Sequence, residues 1–140
     1  MNLFEFDLKD YFSSEKIYME LKSYFNNTID FLPQDDYWDI IDKETNRKIV
    51  GLDILYRDMN DEYAVYVQGI ANFSEINIMQ SFYKYFAVKY NTMVLFNGFT
   101  EQTCQMLFQY NKNVLYEAYS YTNEKGIDCV VPYKIINEIN

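Results

Sequence analysis

The residue types that carry most acyl-transfer and hydrolytic chemistry are sparse in this chain, and one is missing. Among 140 residues there is no histidine. That removes the usual general base and the commonest metal ligand, and it excludes Ser-His and Cys-His nucleophile pairs. The two cysteines, Cys104 and Cys129, sit in apolar-patterned segments. They predict free, small core residues of a reducing compartment, because two are too few for a disulfide framework. Carboxylates remain. Asp35 and Asp36, with Asp39 close by, have the chemistry to hold a cation. Adjacent carboxylates usually face solvent, however, and no EF-hand-like loop surrounds them, so the expectation is no metal. Glu5 and Asp7 alternate with Phe4, Phe6 and Leu8 and so share one strand face, without an evident acid–base partner.

Aromatic residues are the other unusual resource, with 15 Tyr and 11 Phe. Tyr116, Tyr119 and Tyr121 lie in one strand-like run and cannot all face the same side. Some of these rings are expected at the surface, where an amphipathic aromatic suits a protein contact. Trp38, beside Tyr37, is a possible interface anchor, set against its expected place in the core, since Trp is highly buried on average.

These residues need elements to position them. Phe4, Phe6 and Leu8 predict a first strand. Ser13 or Ser14 caps a helix over Ser14–Phe25, with Ile17, Tyr18 and Leu21 on its apolar side. Asn26, Asn27 and Pro33 loosen the chain. Three strand-like runs follow, Tyr37–Asp42, Lys48–Tyr56 and Tyr63–Ala71, joined by the turns Lys43–Arg47 and Arg57–Asp61 into an antiparallel meander. Ser74 caps a second helix whose stripe runs Met79, Phe82, Tyr83, Phe86, Ala87, Tyr90. Thr92–Phe96 reads as a buried strand. Thr100 opens a third helix through Tyr110. Val114–Tyr121, a turn at Asn123–Gly126 and Ile127–Ile135 form a last hairpin, with Pro132 marking an edge. The sum is a single α+β domain over 1–140, a mixed and mostly antiparallel sheet of about six or seven strands with three helices on its faces.

The formal charge is −9. Residues 1–70 carry 15 acidic and 7 basic side chains, against 6 and 5 in residues 71–140. No basic footprint exists for nucleic acid, whereas an acidic half attracts a basic protein. The N-terminal run lacks the basic and apolar regions of a signal peptide, and no apolar run is long enough for a bilayer. The expectation is a protein that is cytoplasmic, or packaged from the cytoplasm into something else, and off the membrane.

The order of elements resembles the GNAT family of N-acetyltransferases. Arg47-Lys48-Ile49-Val50-Gly51 resembles that family's turn into its third strand. Val65–Ala71 and the helix from Ser74 occupy the place of the strand and helix that grip acetyl-CoA. The run Lys89–Phe96, the helix after it and Val114–Tyr119 are similar to the GNAT-like internal virion proteins of short-tailed phages. The resemblance implies an acyl-CoA groove at Gly69, Ala71, Asn72, Phe73, Ser74 and Glu75. A groove of that kind needs close backbone approach to a diphosphate, yet Ala71–Ile78 contains neither Gly nor a basic residue, and Glu75 repels phosphate. The family's proton-donating Tyr falls, by the register of the following strand, on Phe108, which has no exchangeable proton. Tyr110, two residues on, turns to another side of a helix. The polar residue nearest the central strand end is Gln68, which cannot titrate; Asp53 and Glu62 read as surface residues.

A vestigial groove without its acid implies a non-catalytic structural or interaction protein on an acetyltransferase-like scaffold. It would need no cofactor and would assemble with virion proteins or with itself. Two alternatives stand beside it: a divergent acetyl-CoA-dependent N-acyltransferase, and an acidic immunity or inhibitor protein that blocks a basic partner.

Overall fold

The computed structural model describes residues 2–43, 46–58 and 60–139. Glu44 and Thr45 of the first expected turn, and Met59 of the second, lie outside them. The elements run β1 (Asn2–Leu8), α1 (Ser14–Tyr24), β2 (Ile29–Pro33), α2 (Gln34–Ile41), β3 (Lys48–Tyr56), β4 (Val65–Ala71), a 3-10 turn (Ile76–Ile78) leading into α3 (Met79–Tyr90), then β5 (Met93–Asn97), β6 (Leu107–Asn111), β7 (Val114–Thr122) and β8 (Asp128–Ile136). The eight strands form one sheet in the order β2-β3-β4-β1-β5-β6-β7-β8. Among the described residues only β2 and β3 pair in parallel; the other neighbours are antiparallel. The protein is therefore α+β with a mixed, mostly antiparallel sheet, and eight strands replace the expected six or seven.

Period-two patterning accounts for the central strands. Phe4, Phe6 and Leu8 turn one way and join Val65, Val67, Val50, Leu52, Val94, Phe96, Phe108 and Tyr110 under α1 and α3. The rings of Phe6 and Phe96 each approach that of Tyr83 to 4.8 Å. Ser13 caps α1 by accepting the Lys16 amide at 3.2 Å. Asn91, left-handed at φ 51°, ends α3. Gly69 is needed where β4 passes β1: a Cβ there would stand 2.1 Å from Cζ of the Phe4 ring lying across it.

Two expectations exchange places. Tyr37–Asp42 is part of a helix. Pro33 precedes it, Asp35 and Asp36 occupy its first turn, and Tyr37 packs with Ile40 and Ile41 at three-and-four spacing. Conversely, Thr100–Tyr110 is a turn followed by a strand. Thr100 Oγ1 does accept the Thr103 amide at 3.2 Å, as a cap would, but the chain then straightens. Leu107–Asn111 is held between β5 and β7, with Phe108 and Tyr110 on the helix side and Gln109 on the other. Three helices are present, as expected, but not the same three. The strand β2 lies where Asn26, Asn27 and Pro33 predict a loose connection. Ser74 does not cap α3, which begins five residues later.

Both faces of the sheet are used. α1 and α3 cover one. On the other, α2 covers only the β2–β3–β4 end, where Tyr37 lies against Gly51, Ile49 and Ile70. Among the described residues no helix lies over the remainder of that second face, across β1, β5, β6, β7 and β8, and Glu5, Asp7, Gln109 and Tyr116 stand there. No helix among the described residues is long and apolar enough to cross a membrane.

Candidate functional site

The six groove residues lie at the end of β4 and in the turn beyond it. Gly69 is covered by Phe4, and Ala71 is buried. Asn72 acts as a clamp: its Oδ1 accepts the Ile49 amide at 2.7 Å and its Nδ2 donates to the Arg47 carbonyl at 3.0 Å. Phe73 lies under Lys48, 5.1 Å from Nζ to the ring centre. Ser74 and Glu75 are exposed. The amides that follow are turned inward on their own loop, Ile76 donating to the Ser74 carbonyl at 2.9 Å and Ile78 to that of Glu75 at 3.4 Å.

The acid position needs correction because its helix is a strand. Phe108 and Tyr110, two apart on β6, face the same side, and both are buried against α3. The Tyr110 hydroxyl accepts from Gln80 Nε2 at 3.2 Å. Gln68 stands on the opposite face, in register between Asp53 and Glu5. Asp35 and Asp36 are exposed at the start of α2. Among the described residues no three His, Cys, Asp or Glu side chains converge as metal ligands. Both cysteines are free, but neither is a core residue: Cys104 is exposed and Cys129 half-buried.

The second face holds what the sequence reading passed over. Asp7 stands in a row with Leu55, Tyr66, Leu95, Gln109 and Tyr116 across neighbouring strands. It forms an ion pair with Arg57, and its side chain is 14 % exposed. Burial raises the Asp7 carboxyl to about 6, against the opposing pull of Arg57, and the nearby Glu5 charge adds to the rise. Outside the ion pair Asp7 Oδ1 takes no hydrogen bond. Tyr66 donates to Glu5 Oε2 at 2.5 Å, and the Arg57 guanidinium lies 5.2 Å over its ring. Gln109, 2 % exposed, donates through Nε2 to the Tyr63 hydroxyl at 2.6 Å, while its Oε1 has no partner. The alternation of Glu5 and Asp7 gave their common face. Arg57 and Gln109 arrive from a loop and from a misassigned strand, so no local pattern announced them.

On the helix side, Glu20 of α1 is 3 % exposed and fully engaged. It accepts from Lys89 Nζ and Tyr85 at 2.9 Å and from Tyr90 at 2.8 Å, all on α3. Burial pushes its carboxyl up, but these hydrogen bonds and the Lys89 charge outweigh it and hold the group below its ordinary value.

The last hairpin separates its tyrosines as the alternation requires. Tyr116 pairs with Gln109 on the second face, half-buried. Tyr119 and Tyr121 point to the helix side, past the reach of α3, and are 50 % and 49 % exposed. Tyr133, the extra residue of a bulge opposite Glu117 and Ala118, joins them at 55 % exposure, its ring 5.7 Å from that of Tyr119. Trp38 is 42 % exposed on the outer side of α2, because the helix turns Tyr37 inward instead. The expected core position for Trp38 is thus overturned. The free edge of β8 is blunted: the Val130 amide donates to Glu62 Oε2 at 2.8 Å, and Pro132 has no amide to offer.

The chain matches no protein-family model, no curated protein and no solved structure.

Proposed function

We propose that this protein is a non-catalytic interaction module that docks a basic protein through the outer half of its last hairpin. The carrying observation is the exposed triad Tyr119, Tyr121 and Tyr133, gathered where the sheet outruns its helices. Tyrosine supplies rigid contact area with a polar tip, and its ring face accepts Lys or Arg. A second copy is the weaker occupant, since two chains of −9 repel one another. A basic partner is drawn to the same charge. In the reading that the GNAT-like order motivated, this partner is another virion component.

The non-catalytic part rests on the turn before α3. Its amides at Ile76 and Ile78 are engaged within the loop, and Glu75 stands exposed beside them. An incoming diphosphate would meet a carboxylate and few free donors. Acetyl-CoA at about 1 mM, the weak end of useful affinity, is expected to leave the melting temperature unchanged; a clear rise would restore the acyltransferase alternative.

The docking test is quantitative capture from the native host extract at low salt and at about 0.5 M salt, with partners identified by mass spectrometry. Wild-type protein should retain a basic protein that is lost from a Tyr119→Ser, Tyr121→Ser, Tyr133→Ser variant and released by salt. Retention that ignores the tyrosines, or a partner of acidic character, overturns the proposal.

A further inference from the structure

Two exposed features of this chain fit one another. The first is a groove of about 530 Å³ on the outer side of α3. Its floor is Val88, 51 % exposed, between the half-buried rings of Tyr24 and Tyr85. Lys84 and Lys89 flank it, no carboxylate lines it, and α3 itself carries no acidic residue. Glu20 of α1 partly offsets Lys89, but among the described residues Lys84 pairs with no carboxylate. In a protein of charge −9 this is a cationic site with an apolar floor.

The second feature is the outer side of α2, from which Trp38 stands out. Asp35, three residues before it, and Asp42, four after, are its neighbours along the helix surface, and Asp39 is adjacent. All three are exposed. Lys43, the next residue, is the one basic side chain in the run from Gln34 to Lys43. The indole touches one other ring, that of Tyr37, at 5.3 Å. Its outer area is left for a partner, and Trp is the residue type that most often anchors an interface.

An apolar knob rimmed by carboxylates and an apolar groove rimmed by lysines are complementary in shape and in sign. We infer that the chain associates head-to-tail with a second copy of itself, Trp38 of one copy seated in the α3 groove of the next. The indole lies on Val88 between the two tyrosine rings, where Lys84 reaches both its face and the neighbouring aspartates. The groove is on the face covered by α1 and α3, and the knob is on the face covered by α2. A chain therefore does not fill its own groove, and each contact leaves one knob and one groove open, so association propagates. Two chains of −9 still repel one another. At the uncharged tyrosine triad nothing offsets that repulsion. Here lysines oppose aspartates at contact distance, well inside the Debye length of about 8 Å at physiological salt. The contact uses none of the triad, so it stands or falls apart from hairpin docking.

Sedimentation velocity of the full chain from about 10 µM to about 500 µM, at about 0.15 M salt, tests this. The weight-average mass should climb from monomer through dimer and beyond, with a dissociation constant of about 10 to 100 µM. Raising the salt to about 0.5 M should weaken association at least threefold or so. Trp38→Ser and Lys84→Glu, both at exposed positions, should each stay monomeric. Mixed in equal amounts, they should form a heterodimer and stop there, because one brings the intact groove and the other the intact knob. Glu124→Gln, at the hairpin tip, should associate as wild type does. The inference is overturned if wild type stays monomeric at the highest concentration, or if the mixed variants fail to pair. Loss in Lys84→Glu with retention in Trp38→Ser gives the groove to another acidic surface and overturns it equally.

Discussion

Glu20 and Asp7 are both carboxylates withdrawn from water, and they stand on opposite faces of one sheet. Glu20 receives three donors from α3 and is held ionised. Asp7 receives one arginine, on Oδ1, and is pushed toward its neutral form. The first arrangement closes a joint between two helices. The second places an ion pair beside a cavity. Glu20 is the more deeply buried, at 4 % side-chain exposure against 14 % for Asp7, yet it is the one held ionised, so the number of donors each carboxylate receives outweighs its depth.

The contrast is broken most forcefully at Glu20. Glu20→Ala removes three charge-assisted bonds joining α1 to α3 and should cost about 3 kcal/mol by urea denaturation, with Glu20→Gln intermediate. A loss below about 1 kcal/mol would place Glu20 among ordinary surface ion pairs and erase its difference from Asp7.

The pH dependences run in opposite directions. Asp7 has a raised carboxyl, so its contribution is fully present below the ordinary Asp value near 4 and is lost as pH rises through about 6. That loss is on the order of 2 kcal/mol. Glu20 has a lowered carboxyl, so its contribution is present above the ordinary Glu value and disappears as pH falls below it. The stability difference between wild type and Asp7→Asn should therefore change between about pH 4 and pH 6, and that between wild type and Glu20→Gln only at more acid pH. Parallel curves for the two variants would remove the distinction.

Tyr83 offers a smaller test. Its hydroxyl is fully buried with no hydrogen-bond partner, amid Phe6, Phe96 and Phe99. If unmet polar atoms away from a cavity are simply costs, Tyr83→Phe should stabilise by about 1 kcal/mol, read from the urea midpoint. A destabilisation would reveal a role for that hydroxyl. Smallest of all is the expected effect of the three serine substitutions on the hairpin. They should shift the melting temperature by no more than about 2 °C while abolishing capture. A large drop would mean that the rings stabilise the hairpin rather than a partner.

Sequence patterning was most legible where burial is one-sided. Phe4-Phe6-Leu8 and the stripe from Met79 to Tyr90 each fold as their period requires. Short segments were less secure. The pattern of Tyr37–Asp42 predicts a strand although Pro33 and the acidic pair Asp35-Asp36 are helix-start signals, and Thr100, which resembles a cap, predicts a helix through Tyr110. For five apolar-rich residues both periods fit, and the neighbour decides: β5 and β7 leave a strand-shaped gap, while the edge beyond β3 accepts β2 and sends α2 across the other face.

The sequence alone determined the absence of imidazole chemistry, the acidic balance, the two long helical stripes on the core face and the hairpin with its divided tyrosines. These depend on composition or on local periodicity, which a single chain displays in order. Tertiary structure decided that Asp7 meets Arg57, that Glu62 reaches Val130, and that Gln109 reaches Tyr63. Those contacts join residues 46 to 68 positions apart, and their energetics depend on water excluded by the assembled sheet, a quantity with no local signature.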